Sequence, residues 1–412
     1  MVIYPHQKSK DSFIKNVSFM FVVYWGILVL WQNVSGAELR GTADLFIKIG
    51  LLIYFVGFYL LRARMLNSKV FYVLLLGMAL LITATTETQF PLSNVIAYVY
   101  PILILLMVYG LGDGLQIKRT HLLAFCNCVI CITVYAVVYA VLFCPEQFTD
   151  AVSAQYAYGN EMRSFFISSH EYGMYLVAAI ICAILCLRLS SEMSALRKFF
   201  YIAVIVLLFV NLILTFSRTS LLGLGVFILI YCFFGAPKTK KWIVMALVLI
   251  ALLVTIYPSL SEFFFKIVLK ENDMAGRDNL FAYGIQYFKN GTIFEQIFGY
   301  GIYAPRAYFE IYLDHGSVHN GYLQVLLYYG LIGCGAMVIF LLSQIVTSIR
   351  FLRIDRFVGT LSLALVLSAS AMMLTNTSII FTSSIDSFFM TMFFILVPKY
   401  LRNSTRNQMF YS

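Results

Sequence analysis

The sequence predicts an all-α integral membrane protein, and three observations carry that expectation. Hydrophobic residues make up 61% of the 412-residue chain and charged residues only 12%, a balance that leaves a soluble globule too little polar surface to cover itself. Apolar stretches of about 20 residues, the length that crosses the hydrocarbon of a bilayer, recur about twelve times. They are centred near residues 24, 52, 76, 101, 132, 179, 208, 227, 250, 331, 366 and 391. The basic residues, finally, fall mostly in alternate breaks between those stretches, as the positive-inside rule requires of a multi-pass chain.

The first span follows Lys8, Lys10 and Lys15 with no small-residue cleavage site ahead of a soluble domain, so it reads as a retained helix and not as a secretory signal. With that end in the cytosol, the inner breaks hold twenty of the 29 basic residues but only Asp11, Asp113, Glu192 and Asp355 of the 19 acidic ones. Both termini are therefore expected in the cytosol, and residues 1–412 read as a single polytopic membrane domain. The net charge of +10 is then a topology signal spread over short breaks, and excludes a nucleic-acid patch, which needs clustering on one face. On the second span Asp44 and Lys48 lie four residues apart and neutralise each other on one helix face. The fifth carries Cys126, Cys128 and Cys131; these lack paired Cys-x-x-Cys spacing and any nearby His or carboxylate, so they read as small packing residues and not as metal ligands.

Two longer breaks, 144–169 and 258–319, fall on the outer side, and function concentrates on long loops. The second contains an amphipathic stretch, Asn279 to Phe288, expected as a membrane-surface helix. Basic residues on this side run against the topology and need a reason. Arg163 closes the first loop just ahead of His170 and Glu171, which open the next span either as a helix-end cap or as part of a site. Arg218 sits in Ser217-Arg218-Thr219-Ser220 between two apolar runs with almost no loop. An ionisable group at that depth is costly unless it pairs or serves a site. Two readings stand: a snorkelling Arg that caps a helical hairpin, or a guanidinium gripping a lipid diphosphate bidentately. Arg277, in Gly276-Arg277-Asp278, is either ion-paired with Asp273 or Asp278 or another anion ligand. Gly299-Tyr300-Gly301 supplies a turn and is weak as a phosphate cradle.

His319 and Asn320 stand at the mouth of the apolar run that ends in Gly330-Leu331-Ile332-Gly333. A neutral imidazole accepts and releases a proton near physiological pH, which suits a base acting on a sugar hydroxyl; a structural His is the alternative. His315 lies four residues earlier, but a third ligand at metal-site spacing is missing.

Taken in order, Arg163 with His170, Ser217-Arg218, Gly276-Arg277, Phe298-Gly299-Tyr300-Gly301 and His319-Asn320 with Gly330-Leu331-Ile332-Gly333 resemble the bacterial O-antigen polymerase and ligase family across roughly residues 160–335. The resemblance implies a GT-C-like fold of about twelve transmembrane helices, with the loops 144–169 and 258–319 forming the active site on the outer face of the plasma (inner) membrane. It implies a metal-independent glycosyltransferase without cofactor, acting on an undecaprenyl-diphosphate-linked glycan donor and acceptor in the bilayer, and it leaves room for a chain-length regulator protein as partner. Carried over, Arg218 and Arg277 hold the diphosphate and His319 is the general base. Arg163, His170 and Asn320 complete the substrate-binding set. Glu171 departs from the family wording, where Asn is frequent. The aromatic content, 28 Tyr and 37 Phe, with Tyr156, Tyr158, Tyr300, Tyr303, Tyr308 and Tyr312 on outer loops, favours a polymerase over a ligase that delivers glycan to lipopolysaccharide core. A flippase or transporter of lipid-linked oligosaccharide, a third possibility, should show internal repeats, which the chain lacks.

Overall fold

A computed structural model of the chain describes residues 50, 119–152, 161–166, 168–189, 194–235, 277–313, 317–376, 390, 391, 393, 394, 397, 398, 401 and 402. Among them every extended regular element is a helix: α1 (Arg119–Phe143), α2 (Pro145–Val152), α3 (Ser169–Leu189), α4 (Ala195–Leu214), α5 (Arg218–Phe234), α6 (Arg277–Asn290), α7 (Ile293–Phe298), α8 (Tyr303–Leu313), α9 (Gly321–Phe351) and α10 (Arg356–Met372). Leu122–Phe143, Ser169–Leu189, Ala195–Leu214 and Gly321–Phe351 are each long and apolar enough to cross a membrane, and α5 and α10 are shorter apolar helices. The expected span centres at 132, 179, 208, 227, 331 and 366 thus fall inside α1, α3, α4, α5, α9 and α10. Those near 24, 52, 76, 101 and 250 lie outside the described residues, as do Asp44, Lys48, Tyr156, Tyr158 and His315; the one near 391 is described only in part.

The chain divides into two compact units, and the division runs through α5 after Leu224. In the first unit α3 is the central rod, packed between α1 and α4, and from Tyr172 to Ala183 each of its residues is buried. Its start is set by Ser168, whose hydroxyl accepts from Glu171 N, a cap that satisfies an otherwise orphaned amide. α4 begins similarly, with Ser194 accepting from Arg197 N, and leaves Phe199, Phe200, Val206 and Val210 exposed, as a face turned to lipid requires. Cys126, Cys182 and Cys186 are buried while Cys131 is exposed, so Cys126, Cys128 and Cys131 do not share one environment.

In the second unit α9 and α10 form a packed pair. Asp355 caps α10 through Val358 N, and Gly359 permits the tight return, because a Cβ there would lie 2.4 Å from Leu352 N. α9 is one helix in name only. At Gly330 the backbone turns to φ 64°, ψ −165°, a conformation open essentially to glycine. The carbonyls of Leu327 and Tyr328 released by this break accept from Tyr300 N (2.9 Å) and Gly301 N (3.1 Å). Gly299 and Gly330 meet backbone to backbone there: a Cβ on either would lie 2.3–2.6 Å from main-chain atoms of the other strand of the crossing. The Tyr300 hydroxyl in turn donates to the carbonyls of Tyr287 and Phe288 at the end of α6. Gly299-Tyr300-Gly301 is therefore a stitch between α6 and the break in α9.

Candidate functional site

Three non-glycine residues among those described have left-handed backbone: Ser164 (φ 54°), Phe216 (φ 49°) and His319 (φ 50°). Such conformations cost of order 1–3 kcal/mol and persist where the surroundings over-determine them, which is common at functional sites. Each coincides with a candidate residue of the sequence: Ser164 follows Arg163, Phe216 stands two before Arg218, and the third is His319 itself.

In the first unit the chain brings Arg163, His170 and Arg218 into one neighbourhood. Gln147 on α2 holds the Arg163 turn by its side-chain amide, accepting from Arg163 N (3.1 Å) and Ser164 N (2.9 Å). The Ser164 hydroxyl donates to Ala136 O on α1, and Met162 N donates to Leu214 O at the end of α4. Glu161 accepts from Ser169 at the head of α3. The α4–α5 connection is as short as the sequence suggests. Thr215 Oγ1 donates to Leu212 O and accepts from Ser217 N, so the turn at Phe216 is tied on both sides. Ser217 then opens α5, its hydroxyl oxygen accepting from Ser220 N (3.4 Å). The same oxygen lies 3.0 Å from His170 Nδ1 and 2.9 Å from Ser220 Oγ.

Arg218 is the first residue of α5. Its Nε and NH2 are buried and lack a hydrogen-bond partner among the described residues. A guanidinium at a helix N-terminus also opposes the helix dipole, which favours negative charge there. An anion would answer both facts, accepting from the guanidinium and meeting the positive end of the helix.

In the second unit Arg277 is likewise the first residue of a helix, α6. α6 packs on α9, and Gly284 lets it sit close, since a Cβ there would lie 2.9 Å from Leu323 Cδ2 and 3.2 Å from Val318 Cγ2. Arg277 thus heads the helix that lies against the residues flanking His319. Asn320 is the N-cap of α9, its Oδ1 accepting from Leu323 N (3.0 Å), while its Nδ2 donates to Leu374 O (3.1 Å). Gly321 N donates to Met373 O beside it. Both ends of the Asn320 amide are engaged with backbone, and the residue fixes the head of α9 to the tail of α10. His319 is half-buried and stands just ahead of the N-terminus of α9.

Helices α6 and α8 and the turn before α8 carry a tyrosine run. Tyr287 stacks obliquely with Tyr300 (4.7 Å between centroids) and Tyr308 (4.6 Å), and Tyr308 with Tyr312 (4.8 Å). Burial, with Tyr300 and Glu295 close by, pushes the Tyr287 phenol up to about 12; Tyr300 is raised too, by burial and then Glu295. Both remain protonated donors at physiological pH. Tyr303 and Tyr312 are exposed. Arg306 is held above its usual value chiefly by its hydrogen bond to Glu310, at 2.8 Å. Among the described residues no three His, Cys, Asp or Glu side chains gather as a metal site would need.

Sequence reasoning missed Gln147, the Gly173–Ser220 approach and the Gly299–Gly330 crossing, none of which has a local sequence signal. Residues 203–338, which include Arg218, Arg277, His319 and Asn320, match the family model described as O-antigen ligase. No curated protein matches the chain.

Proposed function

We propose, from the match of residues 203–338 to the family model described as O-antigen ligase, that the chain polymerises undecaprenyl-diphosphate-linked oligosaccharide repeat units at the outer face of the plasma membrane. The observation that carries the reading is the pair of buried nitrogens on Arg218, at the head of α5, that have no partner among the described residues. On this reading the chain is a GT-C-like protein of about twelve spans with both termini in the cytosol. Arg218 and Arg277 hold the donor diphosphate, matching the two negative charges that a doubly esterified diphosphate carries. Asn320 places His319, and Arg163 and His170 belong to the Arg218 neighbourhood.

The chemistry follows from these roles. The acceptor hydroxyl attacks the anomeric carbon of the donor sugar while the bond from that carbon to the diphosphate oxygen breaks, and the diphosphate leaves with the electron pair. His319, neutral before the step, takes the hydroxyl proton. Charge growing on the leaving oxygen is met on this reading by the arginine guanidinium groups, which take the part a divalent ion would otherwise play.

The test is incubation of purified protein with a synthetic undecaprenyl-diphosphate-linked repeat unit in detergent and chelator, with products resolved by size. A ladder of longer lipid-linked oligomers that is lost in His319→Ala supports polymerisation with this base. An unaltered ladder in His319→Ala removes His319 from the role, and a wild-type ladder that forms only when the chelator is left out overturns metal independence. The description of the matched family model favours a second reading, ligation. Transfer that occurs only once a lipopolysaccharide core acceptor is supplied would select it.

A further inference from the structure

The hydroxyl of Ser217 is fully buried, and its bonding capacity can be counted. A serine hydroxyl has one proton and two acceptor lone pairs. Ser220 N takes one lone pair, which leaves one lone pair and the proton for two neighbours, His170 Nδ1 at 3.0 Å and Ser220 Oγ at 2.9 Å. One of them must therefore donate to Ser217 and the other accept from it. His170, Ser217 and Ser220 form a three-member chain with nothing to spare. Its far end is pinned from α3: a Cβ on Gly173 would lie 2.5 Å from Ser220 Oγ and 3.1 Å from Ser217 Cβ. Only a glycine one turn after His170 allows α3 to lie this close to the head of α5. The chain bridges two helix starts, and the residue next to Ser217 is Arg218, at the exit of the left-handed turn at Phe216.

We propose that His170 is a positioning residue, acting through Ser217 to hold the first turn of α5 so that the Arg218 guanidinium stays aimed at an anion. This rests on the reading of Arg218 as a diphosphate ligand. It assigns His170 a place behind that ligand, where the sequence had suggested direct substrate binding. When Ser220 donates to Ser217 and Ser217 donates to Nδ1, the neutral imidazole carries its proton on Nε2. An asparagine at 170 can supply the Nδ1-side contact.

The experiment measures binding of undecaprenyl diphosphate, which carries no sugar, to the full-length protein in detergent. Variants are His170→Ala, His170→Asn, Ser217→Ala, the double His170→Ala/Ser217→Ala, and Arg218→Ala, each with its thermal unfolding recorded. Loss of one net hydrogen bond should weaken binding roughly fivefold in His170→Ala and in Ser217→Ala, with the double variant no weaker than either single one, as members of one chain require. His170→Asn should recover binding close to wild type, and Arg218→Ala should lose roughly a hundredfold. Wild-type binding in His170→Ala beside a large loss in Arg218→Ala overturns the positioning role alone. So does a His170→Ala variant that melts earlier but binds normally, or single effects that add in the double variant. Wild-type binding in Arg218→Ala overturns the diphosphate reading and the positioning role with it.

Discussion

Arg218 and Arg356 each open an apolar helix, yet their guanidinium groups are treated in opposite ways. Arg356 is exposed, follows the capping Asp355, and donates from Nε to Phe234 O at 2.7 Å, the carbonyl end of α5, where positive charge is favoured. Arg402, 3% exposed, is as well provided for: NH1 donates to Ser348 Oγ (2.9 Å) and NH2 to Gln344 Oε1 (2.6 Å). Arg356 and Arg402 belong to the breaks that the basic-residue pattern puts in the cytosol. Arg218, from a break it puts outside, has buried Nε and NH2 without partners among the described residues. A protein that spends arginine on structure gives it acceptors from its own chain. Arg218, with no such acceptor among the described residues, is the arginine left to serve something other than the fold.

The largest effect that would break this comparison is on catalysis. Arg218→Met should lower glycan transfer by at least roughly a hundredfold, yet leave the melting temperature unchanged or raised, because an uncompensated buried cation is replaced by an apolar group. A clear fall in melting temperature would make Arg218 a structural residue like Arg402. Gly330→Ala comes next. Strain at φ 64° together with the backbone clash should destabilise the second unit by roughly 3 kcal/mol, seen as earlier unfolding in detergent. An unchanged melting curve would mean that the stitch is dispensable. Arg402→Met should cost about 1–3 kcal/mol through the orphaned Gln344 and Ser348 with transfer intact below the transition, the mirror image of Arg218→Met. The smallest effect is expected for Arg306→Ala, which removes an exposed i,i+4 pair with Glu310 and should shift stability by no more than about 0.5 kcal/mol, measured in the same unfolding assay.

The helices were legible because their signal is local: an apolar run long enough to span a bilayer declares itself in about 20 residues. The hairpin at Ser217-Arg218 was legible for the same reason, as two such runs separated by three residues. The candidate residues could be read because their charge opposed the topology. What stayed hidden depends on pairing across distance. Gln147 holds a turn 16 and 17 residues further on. His170 reaches a hydroxyl 47 residues away. The break at Gly330 looks from sequence like small-residue packing in a helix, since the amides that replace its lost hydrogen bonds belong to Tyr300 and Gly301. Nor does Phe at 216 announce a left-handed backbone, as Gly or Asn would; surrounding hydrogen bonds impose it.

A 31-residue α9 would run about 46 Å if straight, well beyond the roughly 30 Å of bilayer hydrocarbon. Measured back from Phe351, the stretch to Gly330 already covers about 32 Å. The two and a half turns before the break are not needed to cross the hydrocarbon, and they are released from the direction of the longer segment and fastened to the tail of α10 instead. His319 rides at the far end of that short segment. On the proposed reading, an acceptor would meet His319 at the head of a short, separately anchored helix segment, whose position is set by α10 and not by the direction of the longer span.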